Sequence, residues 1–534
     1  MGRKTFRGGV HPDDKKALSS GREFRTYLAK GEMVFPLAQH IGRPAAACVK
    51  KGDQVLAGQV IGEASGFISA NIISSCSGTV KAVEKRRTVM GTMVESVVID
   101  NDGAFTEVPG IGEEVDFRTL TKDEIIKKVK DAGIVGLGGA GFPTHVKLAP
   151  KNADEINYVI ANGAECEPYI TCDDQLMRTN ADEIVMGMEI ILSLFPNAQG
   201  VILIEDNKPE AIASMQKACK GVKRLYVQAV PVKYPQGGER SIIHVVAGID
   251  IKSTQLPADV GCIVDNVATI QAIYNAVCKS TPLMVKPVTI TGEGVAEPAN
   301  LLVRIGTNVQ ELLDAAGGVK EGVTVKKVIG GGPMMGIAIA TLDVPIQKAN
   351  NAFTFLTEDQ VEAAEAIQTA CIRCGRCNQS CPLGLNPQLM SVAAERKDYD
   401  RYENVLYGLE CISCGSCTFI CPAKRPLMQL FKEARTQILG AKAIARAEAA
   451  KAKMEAEKAA QEEKEAEIRK AVEAALRKED EGKNLVKASE AEKKLAARAE
   501  AADNEDIPLE KAVKKDLGVK TPAGDAAEGK GDKA

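Results

Sequence analysis

Cys371-Ile-Arg-Cys374-Gly-Arg-Cys377-Asn-Gln-Ser-Cys381-Pro382 recurs forty residues later as Cys411-Ile-Ser-Cys414-Gly-Ser-Cys417-Thr-Phe-Ile-Cys421-Pro422. Each copy fits C-x2-C-x2-C-x3-C-P, the spacing at which three thiolates wrap one cuboidal iron–sulfur cluster while the fourth ligates its neighbour. Two [4Fe–4S] clusters are therefore expected. One is held by Cys371, Cys374, Cys377 and Cys421, the other by Cys411, Cys414, Cys417 and Cys381. Paired zinc knuckles also use C-x2-C units, but they do not call for two complete copies each closed by proline. Such clusters carry single electrons and offer no substrate site, so a source and a sink must lie elsewhere. The other seven cysteines (Cys48, Cys76, Cys166, Cys172, Cys219, Cys262, Cys278) lack ligand spacing, and most read as small buried apolar residues. Cys166 stands apart because it lies between two acids.

Gly136-Leu-Gly138-Gly139-Ala-Gly141 fits G-x-G-x-x-G, but a helical period at Asp123 to Ala132 precedes it and Phe142-Pro143 follows. That is not the strand-to-helix setting of a dinucleotide turn. Glycines still let backbone N–H groups close on a phosphate, with Lys147 placed to add charge; a plain tight turn is the alternative. The strand-like Tyr158 to Ala161 leads into Asn162-Gly-Ala-Glu165-Cys-Glu167-Pro168. Two carboxylates at a strand end are ordinarily a solvated loop. After a phosphate loop they can instead accept from ribose hydroxyls or a nicotinamide amide. The four histidines have no metal spacing, and no Ser/His triad is visible.

These two segments resemble the FMN and NADH site of the flavoprotein subunit of respiratory complex I. Tyr234-Pro-Gln-Gly-Gly-Glu239 and Asp265-Asn-Val-Ala-Thr-Ile270 extend the resemblance in order. It implies non-covalent FMN held by Gly136, Gly138, Gly139, Gly141, Lys147, Asn162, Tyr234, Gly237 and Asn266, with Glu239 near the flavin. It places Phe142, Glu165 and Glu167 toward NAD(H). Two positions depart from the pattern: Leu137 replaces an arginine and Ala164 an acid. Val49-Lys-Lys-Gly-Asp-Gln-Val-Leu-Ala-Gly-Gln-Val60 and Ser77-Gly-Thr-Val80 are similar to a lipoyl or biotinyl half-barrel. Its tip, Ser65 to Ser75, has no lysine to carry a group, which favours a scaffold. The whole order resembles the RnfC family, the C component of Rnf ion-translocating electron-transport complexes. That resemblance implies a peripheral subunit on the cytoplasmic side of a bacterial cell membrane. Its partners would be the other Rnf subunits, NADH/NAD and ferredoxin, met directly or through another subunit, with Na+ or H+ moved elsewhere in the complex. A soluble flavin reductase, such as a cobalamin reductase, and an electron-transfer scaffold without a working flavin site are the alternatives.

Positioning these groups takes a multidomain α/β chain with small β modules, since 534 residues exceed a single core. Residues 1–30 form an N-terminal segment, 31–105 a half-barrel sandwich, and 112–280 the α/β flavin domain. Residues 281–345 form a β-grasp-like unit and 358–436 a two-cluster, ferredoxin-like α-helical domain. The Ala/Lys/Glu-rich tail, 437–534, is expected to be helical from about 440 to 500 and to fray after Asp503. A net charge of −3 gives no general attraction to nucleic acid, which is not expected as a partner. The opening Met1-Gly2-Arg3-Lys4 leads into no apolar signal segment, so a reducing compartment is expected. No run of about eighteen apolar residues occurs, and membrane association is expected only through partner subunits.

Overall fold

The computed structural model describes residues 5–479. Its central domain is a parallel sheet of four strands in the order Leu225–Val230, Gln199–Glu205, Tyr158–Gly163, Cys262–Asn266. Strands covered on both faces need apolar side chains on both. Val201 and Leu203 accordingly face helix Glu239–Ala247, while Ile202 and Ile204 face the layer of helices Lys122–Asp131, Ala181–Leu194, Pro209–Ala218 and Val267–Cys278. The chain leaves Tyr158–Gly163 for Gln199–Glu205 on one side and returns as Cys262–Asn266 on the other. The crevice at the carboxyl ends of these two neighbours is the switch point where open α/β sheets bind ligands.

The half-barrel is two small antiparallel sheets closed over Phe35, Ile61, Ile72, Val97 and Ile99. The Val- and Ile-bearing stretch from Gln54 to Ile61 divides into strands Gln54–Val55 and Val60–Glu63, which lie in different sheets. Gly58, at φ +91°, makes the turn between them. The β-grasp-like unit does not end at 345. Strand Ala352–Leu356 sits inside its six-stranded sheet between Val285–Thr291 and Lys327–Gly330, and Arg25–Tyr27 from the N-terminal segment pairs at its edge. Phe353 and Phe355 fill the core beneath helix Val309–Ala315.

In the cysteine region the two repeats fold alike. Arg373 and Ser413 lie at φ +56° and +54°, Gly375 and Gly415 at +73° and +79°, and Gly384 and Lys424 at +66° and +51°. Left-handed residues at matching positions curl each loop so that successive N–H groups turn inward. Helix Leu427–Glu479 begins here, burying Leu427, Phe431, Ala434 and Ile438. From Leu439 the chain belongs to a second unit, in which Lys451–Glu455, Lys453–Glu457 and Lys458–Glu462 pair four residues apart. The expected fraying after Asp503 lies outside the described residues. No helix among those described is long and apolar enough to cross a membrane.

Candidate functional site

The glycine loop is the tip of a hairpin. Val135 and Pro143 form a bridge, Gly136 N donates to Phe142 O at 2.9 Å, and Thr144 N donates to Ile134 O at 3.1 Å. Gly138 and Gly139 are at the tip, whereas Leu137 turns into the core and donates its N–H to Thr269 Oγ1 at 2.9 Å. An apolar residue at 137 thus anchors the loop from below. Gln39 and His40 of the half-barrel abut Gly141, and Ile41 N donates to Gly141 O at 3.3 Å.

Beneath the loop, Asn162 and Asn266 are register partners at the ends of adjacent strands. Asn162 Nδ2 donates to Gly237 O at 3.0 Å. Asn266 caps helix Val267–Cys278 by accepting from Ala268 N at 2.9 Å, and its Nδ2 donates to Asp173 Oδ2 at 2.7 Å. A Cβ on Gly138 would stand 2.8 Å from Asn266 Nδ2, and one on Gly237 would stand 3.4 Å from Cys166 Sγ. Gly138, Asn162, Gly237 and Asn266 therefore share one crevice, with Gly136 at the root of the loop above it and Tyr234 and Glu239 on the segment beside it. Lys147 does not hang free. Its ammonium donates to Val264 O at 2.7 Å and Asp265 Oδ1 at 2.9 Å, which leaves one N–H for a phosphate. Burial pushes the carboxyl groups of Asp265 and Glu239 up, and Lys147 opposes both shifts.

Glu165 and Glu167 are not solvated loop acids. Glu165 lies at φ +47°, and its carboxylate accepts from Asp173 N at 2.7 Å and Asp174 N at 3.4 Å, at the start of helix Cys172–Thr179. Lys16 approaches its other side at 3.7 Å. Glu167 Oε1 accepts from Met334 N at 2.6 Å and Met335 N at 3.1 Å. Burial raises the two carboxyls to about 8 and about 7, in that order. Lys16 also donates to the carbonyls of Glu167, at 3.2 Å, and Ile170. In the sequence it is one of four consecutive charged residues, with nothing to distinguish it from a surface turn. Phe142 is half-buried at the root of the hairpin. His145 is buried with Nδ1 unpartnered, and burial lowers its pKa.

Cys381, Cys411, Cys414 and Cys417 line one cavity; Cys371, Cys374, Cys377 and Cys421 line another. The fourth cysteine of each repeat thus lies with the first three of the other. Four sulfur donors on each cavity, in mostly apolar walls, fit a cuboidal cluster. Ser413 N donates to Cys411 Sγ at 3.4 Å, the kind of bond that sets a cluster's potential. The crevice suits the ribityl hydroxyls and ring N–H of a flavin, since Asp265 Oδ2 and both polar atoms of the buried Gln236 amide lack partners, and Gly139 has nothing within 4 Å of its Cβ position. Of the remaining cysteines, Cys76, Cys172, Cys219, Cys262 and Cys278 are buried and Cys48 is exposed. Cys166 Sγ accepts from Gly237 N at 3.1 Å.

The two sites touch. Tyr234 donates its hydroxyl to Cys414 O at 2.7 Å, and Arg240 Nη1 donates to Glu410 Oε2 at 2.9 Å. Cys166, Tyr234, Met334, Cys414 and Ile412 belong to one apolar cluster. By contrast Cys371, Ile372 and Cys374 face solvent.

Four families match in order: an RnfC barrel sandwich hybrid domain (4–104), a Nuo51 FMN-binding domain (129–275), an SLBB domain (287–338) and a 4Fe-4S dicluster domain (364–422). The C component of the proton-translocating ferredoxin:NAD(+) oxidoreductase complex of Clostridium ljungdahlii is 41% identical over 434 residues, covering 81% of this chain and 94% of that protein. Its counterpart in the Na(+)-translocating complex of Acetobacterium woodii is 40% identical over 436 residues, covering 82% and 97%. Among solved structures, an NAD+-reducing [NiFe]-hydrogenase aligns at TM-score 0.42 and 21% identity, over 62% of this chain and 68% of that one.

Proposed function

This chain belongs to the RnfC family of ion-translocating ferredoxin:NAD+ oxidoreductase complexes, and from that premise we propose that it passes electrons between NAD(H), FMN and two clusters in a fixed spatial order. FMN, when bound, supplies the exchange between one two-electron hydride transfer and two one-electron transfers. The loop of Gly136, Gly138, Gly139 and Gly141 would bring its backbone close to the phosphate, with open space at Gly139, and Lys147 would offer the N–H that Asp265 leaves free. Asn162, Asn266, Gly237 and Tyr234 border the ring, and Glu239 adds a carboxyl at its margin. Phe142, Glu165 and Glu167 form the nucleotide side, where the backbone bonds to both acids hold them in place before NAD(H) arrives. The half-barrel acts as a scaffold closing on Gly141.

The observation that carries this reading is the hydrogen bond from Tyr234, in the flavin segment, to the carbonyl of Cys414. It supports the cluster of Cys381, Cys411, Cys414 and Cys417 as the one that exchanges with FMN. The cluster of Cys371, Cys374, Cys377 and Cys421, with its exposed edge, then exchanges with a neighbouring subunit or with ferredoxin. Ion movement falls to other subunits, and the chain lies peripherally on the cytoplasmic side of the membrane. The test is anaerobic reconstitution with iron, sulfide and FMN, followed by NADH. The expected result is flavin bleaching together with the paramagnetic signal of reduced clusters. Flavin that stays oxidised overturns the NADH role.

A further inference from the structure

Residues 6–10 lie outside both the flavin-domain and the dicluster matches, yet they join the two. Val10 and Tyr234 exchange backbone hydrogen bonds, N to O, at 2.9 Å in each direction. One residue earlier, Gly9 N donates to Ser380 O at 2.9 Å. Lys233 Nζ donates to Phe6 O at 2.6 Å and stands 4.4 Å from the centre of the Phe6 ring. Phe6 packs against the parallel sheet beside Ile160 and Val201, and Val10 packs against Tyr234 and Cys414. Gly8 and Gly9 lie at φ +67° and +84°. A Cβ on Gly8 would fall 2.6 Å from Cys381 O, and one on Gly9 would fall 2.8 Å from Tyr234 O. Each position meets a backbone oxygen within 3.0 Å, and Gly9 meets Lys233 Cε at 2.7 Å as well, so neither accepts a side chain without the segment lifting away.

We propose that Phe6–Val10 is a brace that fixes the cluster of Cys381, Cys411, Cys414 and Cys417 at its distance from the flavin site. Its two ends rest on the flavin domain, Phe6 against the sheet and Lys233 and Val10 on Tyr234, whose hydroxyl already meets Cys414 O. Its middle, Gly8 and Gly9, lies against Cys381 and Ser380, the former the ligand that crosses from the first repeat. The brace is a positioning element and touches no reacting atom. It rests on the assignment of these two sites given above. The relay it serves is balanced: NADH yields NAD+, one proton and two electrons, and each cluster takes one electron. One-electron transfer from flavin to cluster makes no bond, and its rate falls exponentially as the gap between the two widens. Loss of the brace therefore slows transfer out of the flavin and leaves hydride transfer into it unchanged.

The experiment compares the holoprotein with a variant lacking residues 2–10 and with the point variant Lys233→Met, following flavin bleaching by stopped flow and cluster reduction by rapid-freeze EPR. The truncated protein is expected to keep its FMN, its iron and the parental bleaching rate, while its clusters are reduced about tenfold more slowly by NADH and normally by dithionite. Clusters reduced at the parental rate overturn the brace. If truncation costs iron, Lys233→Met decides: a slower cluster phase with unchanged bleaching supports the brace, and two parental phases sink it. If NADH fails to bleach the parent, the flavin reading fails separately. Hydrogen exchange over residues 375–420 then judges the brace, with faster exchange on truncation supporting it and unchanged exchange overturning it.

Discussion

Gly138 has a packing reason to be glycine, and that reason can be tested. Its Cβ would need Asn266 to retreat, but Asn266 is held by Ala268 on one side and Asp173 on the other. Losing that cap costs about 1 kcal/mol, so Gly138→Ala is expected to lower FMN content while cluster content stays parental, measured by released flavin and iron. Full FMN occupancy would place the phosphate elsewhere. Glu167 gives a second test. Burial lifts its carboxyl from 4.5 to about 7, so the fold favours the protonated form. The stability this contributes is complete below pH 4.5 and is lost as pH rises through about 7. Glu167→Gln is therefore expected to flatten the fall of Tm across that window, and an unchanged slope would contradict the assignment. The grouping of the cysteines across the two repeats was legible because it depends on spacing along the chain. Lys16 and the partners of Glu165 were not, because Lys16 meets this segment from about 150 positions away.

Among the elements, helix Leu427–Glu479 has two characters set by one composition change. Its first turns bury Leu427, Phe431, Ala434 and Ile438 against the cysteine loops, and Phe431 meets Tyr402 at 6.2 Å between ring centres. After Leu439 exposed lysines and glutamates follow. Phe431→Ala is expected to cost about 3–5 kcal/mol and to release iron at lower denaturant, read by the loss of cluster absorbance; a parental midpoint would mean that this helix does not support the clusters. Strand Tyr158–Gly163 was readable as a strand-like run and helix Lys122–Asp131 as a helical period, whereas Leu225–Val230, with exposed Tyr226 and Ala229 within it, carries no such apolar run. Strand Ala352–Leu356 was missed because its partners, Val285–Thr291 and Lys327–Gly330, are distant in sequence and no turn signal joins them. Residues 54–61 look like one strand, and only the left-handed turn at Gly58 divides them between two sheets.

Across the whole molecule, a module order readable in the sequence becomes a spatial order only in the fold. The second cysteine repeat lies against Tyr234 and Arg240, and the first repeat keeps its leading cysteines in solvent. Because each fourth cysteine crosses over, Cys381 belongs with the inner cavity and Cys421 with the outer one. Single substitutions can therefore remove one cluster at a time. The most direct measurement is EPR of Cys381→Ser and Cys421→Ser after anaerobic NADH, with dithionite as the reference reductant. Each variant should retain about half the iron, in keeping with one cluster lost. In Cys421→Ser the remaining inner cluster should still be reduced by NADH. In Cys381→Ser the remaining outer cluster should answer to dithionite and no longer to NADH, whereas its reduction by NADH at the parental rate would contradict the relay.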